Sequence, residues 1–71
     1  MTDNLNKQKL LNDFGMMKLL ELDARDFYLK ASRDESIKDE EVRNCFGLIA
    51  EDEQHHIELV DRITNILNNC L

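Results

Sequence analysis

The eight residues Ser32-Arg33-Asp34-Glu35-Ser36-Ile37-Lys38-Asp39 form the one extended polar interruption between two stretches in which apolar side chains recur every third or fourth position, Leu5 to Ala31 and Ile37 to Leu67. That spacing places apolar groups on one side of an α-helix, so the chain reads as two long amphipathic helices joined by one turn. The spans expected are helix 1 over about 4–33, a turn over about 34–38 and helix 2 over about 39–69, within one domain covering residues 1–71. Either Ser36 or Asp39 can cap the second helix, and if Asp39 does, Glu40 and Glu41 fall in its first turn, where the helix dipole favours them. Proline is absent and glycine occurs only at positions 15 and 47, which leaves little turn chemistry for anything but helix.

Composition narrows the function classes. With 71 residues there is room for one small domain, and 15 acidic against 9 basic side chains give a formal charge of −6. Nucleic acid is not an expected partner, because phosphate binding needs clustered Lys and Arg and none of the nine forms a patch. The field attracts cations instead. Apolar runs fall far short of the roughly 20 residues a bilayer crossing needs, and no leader is recognisable. No membrane association and a cytoplasmic location are therefore expected. Cys45 and Cys70 are neither a CxxC pair nor a disulfide framework. On one helix they lie about 37 Å apart, so Cys45 is expected as a small buried apolar residue and Cys70 as a terminal thiol.

Two heptad lines follow from the periodicity. The first runs Leu10, Phe14, Met17, Glu21, Ala24, Tyr28, Ala31; the second runs Val42, Phe46, Ile49, Glu53, His56, Val60, Ile63, Leu67. Antiparallel packing about residue 37 pairs Leu10 with Ile63, Phe14 with Val60, Ala24 with Ile49, Tyr28 with Phe46 and Ala31 with Val42. In that register Glu21 faces Glu53, and His56 faces Met17. Further apolar residues flank the lines, Leu11, Leu20, Phe27 and Leu29 on the first helix and Leu48, Ile57, Leu59 and Ile66 on the second, more than one hairpin covers. A core this small rarely supplies more than about 3–5 kcal/mol. The fold class expected is all-α, an antiparallel two-helix hairpin that dimerises through a twofold axis into a four-helix bundle.

Three ionisable groups sit inside the apolar lines: Glu21, Glu53 and His56. A carboxylate there loses hydration worth several kcal/mol unless a cation, a proton or hydrogen bonds compensate it. Glu53 and His56 are three residues apart, so they share a helix face with β-carbons about 5–6 Å apart, and Glu21 adds a carboxylate at the same level. Doubled through a twofold axis, the set becomes four glutamates and two histidines, the ligand set of carboxylate-bridged di-iron and di-manganese bundles. Oxygen and imidazole donors suit Fe(II) or Mn(II) better than a structural zinc site. Around them, Asp52 stands one turn before His56 as a candidate acceptor for the imidazole's free N–H. His55 points about 100° away, and Glu51, Asp52 and Glu58 otherwise read as a solvated face.

The segments Glu21-Leu22-Asp23-Ala24-Arg25-Asp26-Phe27-Tyr28 and Ile49-Ala50-Glu51-Asp52-Glu53-Gln54-His55-His56 resemble the ExxAxxFY and IAxxExxH motifs of rubrerythrin-type members of the ferritin-like superfamily. Because only half a bundle is encoded, the chain looks most like the encapsulated ferritins, whose paired hairpins build a di-iron centre between subunits. The resemblance implies a ferritin-like four-helix bundle, Glu21, Glu53 and His56 as both metal ligands and catalytic residues, Tyr28 as a neighbouring phenol, and two iron ions per dimer, with manganese as the alternative metal. It also implies a homo-oligomer that is a dimer or a multiple of dimers. Leu20 stands where those proteins carry an acidic residue of a metal-access route, no peptide for docking in an encapsulin shell follows the helices, and no rubredoxin-like cysteine pairs are present. The function expected is Fe(II) oxidation, a ferroxidase serving iron detoxification or storage. The alternatives are a rubrerythrin-like peroxidase with a separate electron donor and a metal-free helical dimerisation module.

Overall fold

A computed structural model describes the backbone of residues 2–70 and the side chains of residues 6–69. Helix α1 spans Thr2–Ser32 and helix α2 spans Glu40–Cys70, each of 31 residues, and no strand occurs among the described residues. The helical hairpin read from the periodicity is present, with boundaries one or two residues from those expected. It is a rod of 56 × 15 × 11 Å.

The connection shows how the chain reverses. Backbone bonds Arg33 N–H to Lys30 O and Asp34 N–H to Ala31 O tighten the end of α1. Asp34 Oδ1 then accepts from the Ser36 N–H at 2.9 Å and from its hydroxyl at 2.6 Å, a local turn made by one carboxylate. Those two bonds hold the Asp34 carboxyl below its ordinary range. Of the two candidate caps, Asp39 is the one used: its Oδ1 accepts from the Val42 N–H at 3.2 Å, while Ser36 serves the turn.

The interior is narrow. Ala50, Ile57, Val60 and Leu67 form the buried apolar core, all on α2. Phe14, Glu21 and Tyr28 on α1 and Phe46, Glu53, Val60 and Leu67 on α2 lie along the contact, as the heptad lines require. Ala24 and Ala31 are half-buried as expected, and the other contact positions differ. Leu10, Met17, Val42, Ile49 and Ile63, expected inside, are 37–43% exposed. The column one residue further on turns inward instead: Leu11, Lys18, Arg25 and Ser32 on α1, with Arg43, Ala50, Ile57 and Thr64 on α2. Ile57, expected as an uncovered flank, is therefore core at 4% exposure.

Polar rungs explain this rotation. Lys18 Nζ reaches Asp61 Oδ1 at 2.7 Å, and Arg25 donates to Gln54 Oε1 at 2.7 Å. Near the turn, a Cβ built on Gly47 would lie 3.8 Å from Ser32 Cβ, an ordinary contact, so the helices come close there without needing a glycine. Tyr28 stacks on Phe46 with ring centroids 6.0 Å apart, in the expected register, and meets Phe27 edge-on at 5.4 Å.

The hairpin thus has two broad sides. Heptad geometry puts Leu10, Met17, Ala24 and Ala31 of α1 on the same side as Val42, Ile49, His56 and Ile63 of α2, because antiparallel helices wind oppositely when viewed from one end. Leu20, Phe27, Leu59 and Ile66 border that side. Apart from Met16, Leu19 and Leu48, every exposed large apolar side chain belongs to it. Cys45 is also at its border and is exposed, not buried as expected, because the rotation of α2 carries it outward. The side chains of Leu5 and Cys70 lie outside the described residues.

Candidate metal centre

Midway along the rod, Glu21 of α1 and Glu53 and His56 of α2 each bring one ligand atom to a common point, all within 4.8 Å of one another. All three sequence-derived site residues therefore converge. Glu21 and Glu53 are half-buried, on the line where the helices touch. His56 sits on the open side, its side chain 55% exposed against 19% for Glu21. Its expected place inside the seam is corrected by the same one-column rotation that exposes Ile49 and Ile63.

The Glu53 carboxyl is raised above its usual value chiefly because it shares a hydrogen bond with Glu21, with desolvation and the charge of Glu21 adding to the effect and His56 opposing it. His56 Nδ1 lies 3.3 Å from Glu21 Oε2, within ion-pair range when the imidazole is protonated. The approach is not that of a hydrogen bond, and Glu21 Oε2 is a buried oxygen with no hydrogen-bond partner. Such an atom lacks the compensation a desolvated carboxylate requires.

Neighbouring residues divide as follows. Among the described residues no hydrogen bond joins Asp52 to His56; Asp52 acts only through its charge, which adds to the rise at Glu53. Tyr28 lies two turns from Glu21 along α1 with its ring on Phe46. Arg25, one turn from Glu21, was not singled out from sequence. Its bond to Gln54 links the two helices one turn from the site on the turn side, while its bond to Asp26 stays within α1. The signal was available: Lys18 with Asp61 and Arg25 with Gln54 are complementary pairs in one antiparallel register, each one column away from the apolar line.

Chemically, two carboxylates and an imidazole form a hard, mixed oxygen and nitrogen donor set with neither thiolate nor basic side chain among the donors. One hairpin presents three donors and leaves the site's outer side facing the apolar surface. No helix among the described residues is long and apolar enough to cross a membrane. No known protein family, curated protein or solved structure matches this chain, so the reading of the centre rests on its own residues.

Proposed function

We propose that two copies of this chain pair through their apolar sides into a four-helix bundle and that Glu21, Glu53 and His56 of both copies together hold two iron ions, at which Fe(II) is oxidised. The observation that supports this most directly is the meeting of three donors beside a buried, unpartnered Glu21 oxygen at the edge of an apolar surface. A divalent cation there neutralises the repulsion between Glu21 and Glu53. Manganese suits the same donors.

Iron is the substrate in this reading. Two Fe(II) ions would give up two electrons, either to one dioxygen, which takes two protons from water and leaves as hydrogen peroxide, or to one hydrogen peroxide, which takes two protons and leaves as two waters; both irons become Fe(III). The chain's own contribution is to place four carboxylates and two imidazoles and to exclude bulk water with the apolar surface around them. The homodimer is the functional unit, and larger assemblies, an encapsulin shell included, are not needed for this chemistry.

The test is anaerobic loading of the apo protein with Fe(II), with iron content and oligomer mass determined together, followed by admission of oxygen and observation of ferric absorbance in the near ultraviolet. About one iron per chain in an even-numbered oligomer supports the proposal, and Glu53→Ala should abolish both iron retention and the metal-dependent rise in melting temperature. Sustained peroxide turnover with an added reductant would favour the peroxidase alternative. The largely apolar character of the open side also favours a metal-free dimerisation module, which predicts a dimer whose stability is indifferent to Fe(II) and Mn(II).

A further inference from the structure

Beside the turn, on the side of the hairpin away from its apolar surface, a groove of about 500 Å³ runs between the helices. Ser32 and Gly47 form its floor, and a Cβ on Gly47 would stand 3.8 Å from Ser32 Cβ. Leu29 and Leu48 are its walls. Leu48 is 60% exposed and is one of the large apolar side chains that do not belong to the open side. Arg33 and Arg43 flank the end nearest the turn, while Glu51 stands at the other end, about 12 Å from Arg43 along α2.

The two arginines are ten positions apart in the sequence, and only the reversal of the chain brings them to one groove. Neither guanidinium makes an ion pair or a hydrogen bond among the described residues, although the chain carries a formal charge of −6. The reason is local. The carboxylates nearest to them in sequence are committed elsewhere, Asp34 to the Ser36 N–H and hydroxyl and Asp39 to the Val42 N–H. The Ser32 hydroxyl is likewise spent on the Leu29 carbonyl at 2.7 Å. Arg25 shows the contrast, since its guanidinium donates to both Gln54 and Asp26. Arg43 Nε is instead a buried donor with no partner, a group that folded proteins seldom leave unsatisfied.

Planar guanidinium forks match the oxygens of a carboxylate or a phosphate, and two of them on one ligand give both charge and geometry. Rotation of the Arg43 side chain toward the groove gives its Nε–H the acceptor that the protein itself does not supply. The groove is larger than a bare oxyanion fills, and its leucine walls offer cover to a short hydrocarbon stem. Glu51 sets the polarity, because its charge disfavours a second anionic group at the far end.

We infer that this groove binds a small organic anion, a phosphate monoester or a carboxylate, with Arg33 and Arg43 holding the oxyanion, Leu29 and Leu48 covering its stem and Glu51 facing its uncharged end. The groove lies opposite the surface proposed to pair, so one copy or two can bind this ligand, and neither iron nor dimerisation enters the argument.

The probes are n-butyl phosphate, butyrate and inorganic phosphate, titrated at constant ionic strength into the isotope-labelled, metal-free full chain while arginine Nε–H and backbone amide resonances are followed. Butyl phosphate or butyrate should move the Arg33 and Arg43 Nε–H signals saturably, and the tighter of the two identifies the oxyanion class. Inorganic phosphate should bind about tenfold more weakly than butyl phosphate, because it leaves the leucine walls bare. Arg43→Lys keeps the charge and an aliphatic stem but loses the fork, and it should weaken binding about tenfold, as should Arg33→Gln. Glu51→Gln should strengthen it about twofold. Gly47→Ala favours helix and puts a methyl group on the floor, so it should weaken binding while raising the melting temperature, which separates loss of the site from loss of the fold. Shifts that fail to saturate, or that appear equally at Arg62, mark ionic screening alone and would overturn the site. Equal affinity in the parent, Arg33→Gln and Arg43→Lys would overturn it as well. Because the titration uses metal-free protein, either failure leaves the iron reading standing.

Discussion

The two long sides of the contact line differ in kind. On the inner column, the helices of one chain meet through Lys18 with Asp61 and Arg25 with Gln54, and only Ala50 and Ile57 of that column are buried apolar groups. On the open column the residues are almost wholly apolar, yet they stand in water. In a self-sufficient hairpin the arrangement would be the reverse, because apolar burial is the main favourable contribution to folding and exposed ion pairs add little. The contrast is the one the dimer proposed above requires, with polar rungs setting the register of one chain and its main apolar surface left uncovered.

The largest expected effect comes from placing a charge on the open column. Ile49→Asp should turn the dimer into monomers, raising the dissociation constant by about a hundredfold or more, since an unpaired carboxylate in an apolar interface costs several kcal/mol; sedimentation velocity reads this directly. If the variant associates as the parent does, the two sides do not differ as described. Next comes the inner column, where Ile57→Ala should cost about 2–5 kcal/mol in chemical denaturation whatever the protein concentration, because it opens a cavity inside one chain.

A pH series sharpens the distinction at the centre. Since the folded Glu53 carboxyl is raised above its ordinary value near 4.5, the folded state binds that proton more tightly than the unfolded state. Stability of the apo protein should therefore rise as pH falls from neutrality through the raised value, and be lost again as pH climbs. Asp34 has the opposite sign: its lowered value contributes stability above the ordinary carboxylate range, and that contribution disappears in stronger acid. Glu53→Gln should flatten the first arm of the melting profile and leave the second. The smallest effect belongs to Lys18→Ala, whose ion pair is exposed at both ends and should contribute less than about 1 kcal/mol by double-mutant cycle with Asp61.

Much of this was legible in the sequence because it depends on periodicity. The hairpin, the turn over 34–38, Asp39 as one of two caps, and the meeting of Glu21, Glu53 and His56 all follow from counting three and four along the chain. Which column faces inward was not, and the reason is geometric. A heptad line such as Phe14, Glu21, Tyr28 has a neighbouring column on each side, and apolarity marks the one that must be covered without saying whether the same chain covers it. Leu10, Met17, Ile49 and Ile63 were assigned to the hairpin's own interior on apolarity alone. Lys18 and Arg25 occupy the inner column because long polar stems pack between helices while their heads reach Asp61 and Gln54 at the rim, and Thr64 fits there by turning its hydroxyl back to the Val60 carbonyl. His56 followed its column outward.

The turn at Asp34 and Ser36 ties only one end of the rod. Every contact between the helices joins residues whose separation along the chain grows steadily with distance from that loop, so the hairpin is wired like a zipper with a single fixed stop. Loosening begins at the free tips, where Thr2 and Cys70 lie, and travels inward. Amide hydrogen exchange should slow from those tips toward Tyr28 and Phe46, and the backbone around Glu21 and Glu53 should exchange at an intermediate rate that slows sharply when metal is supplied.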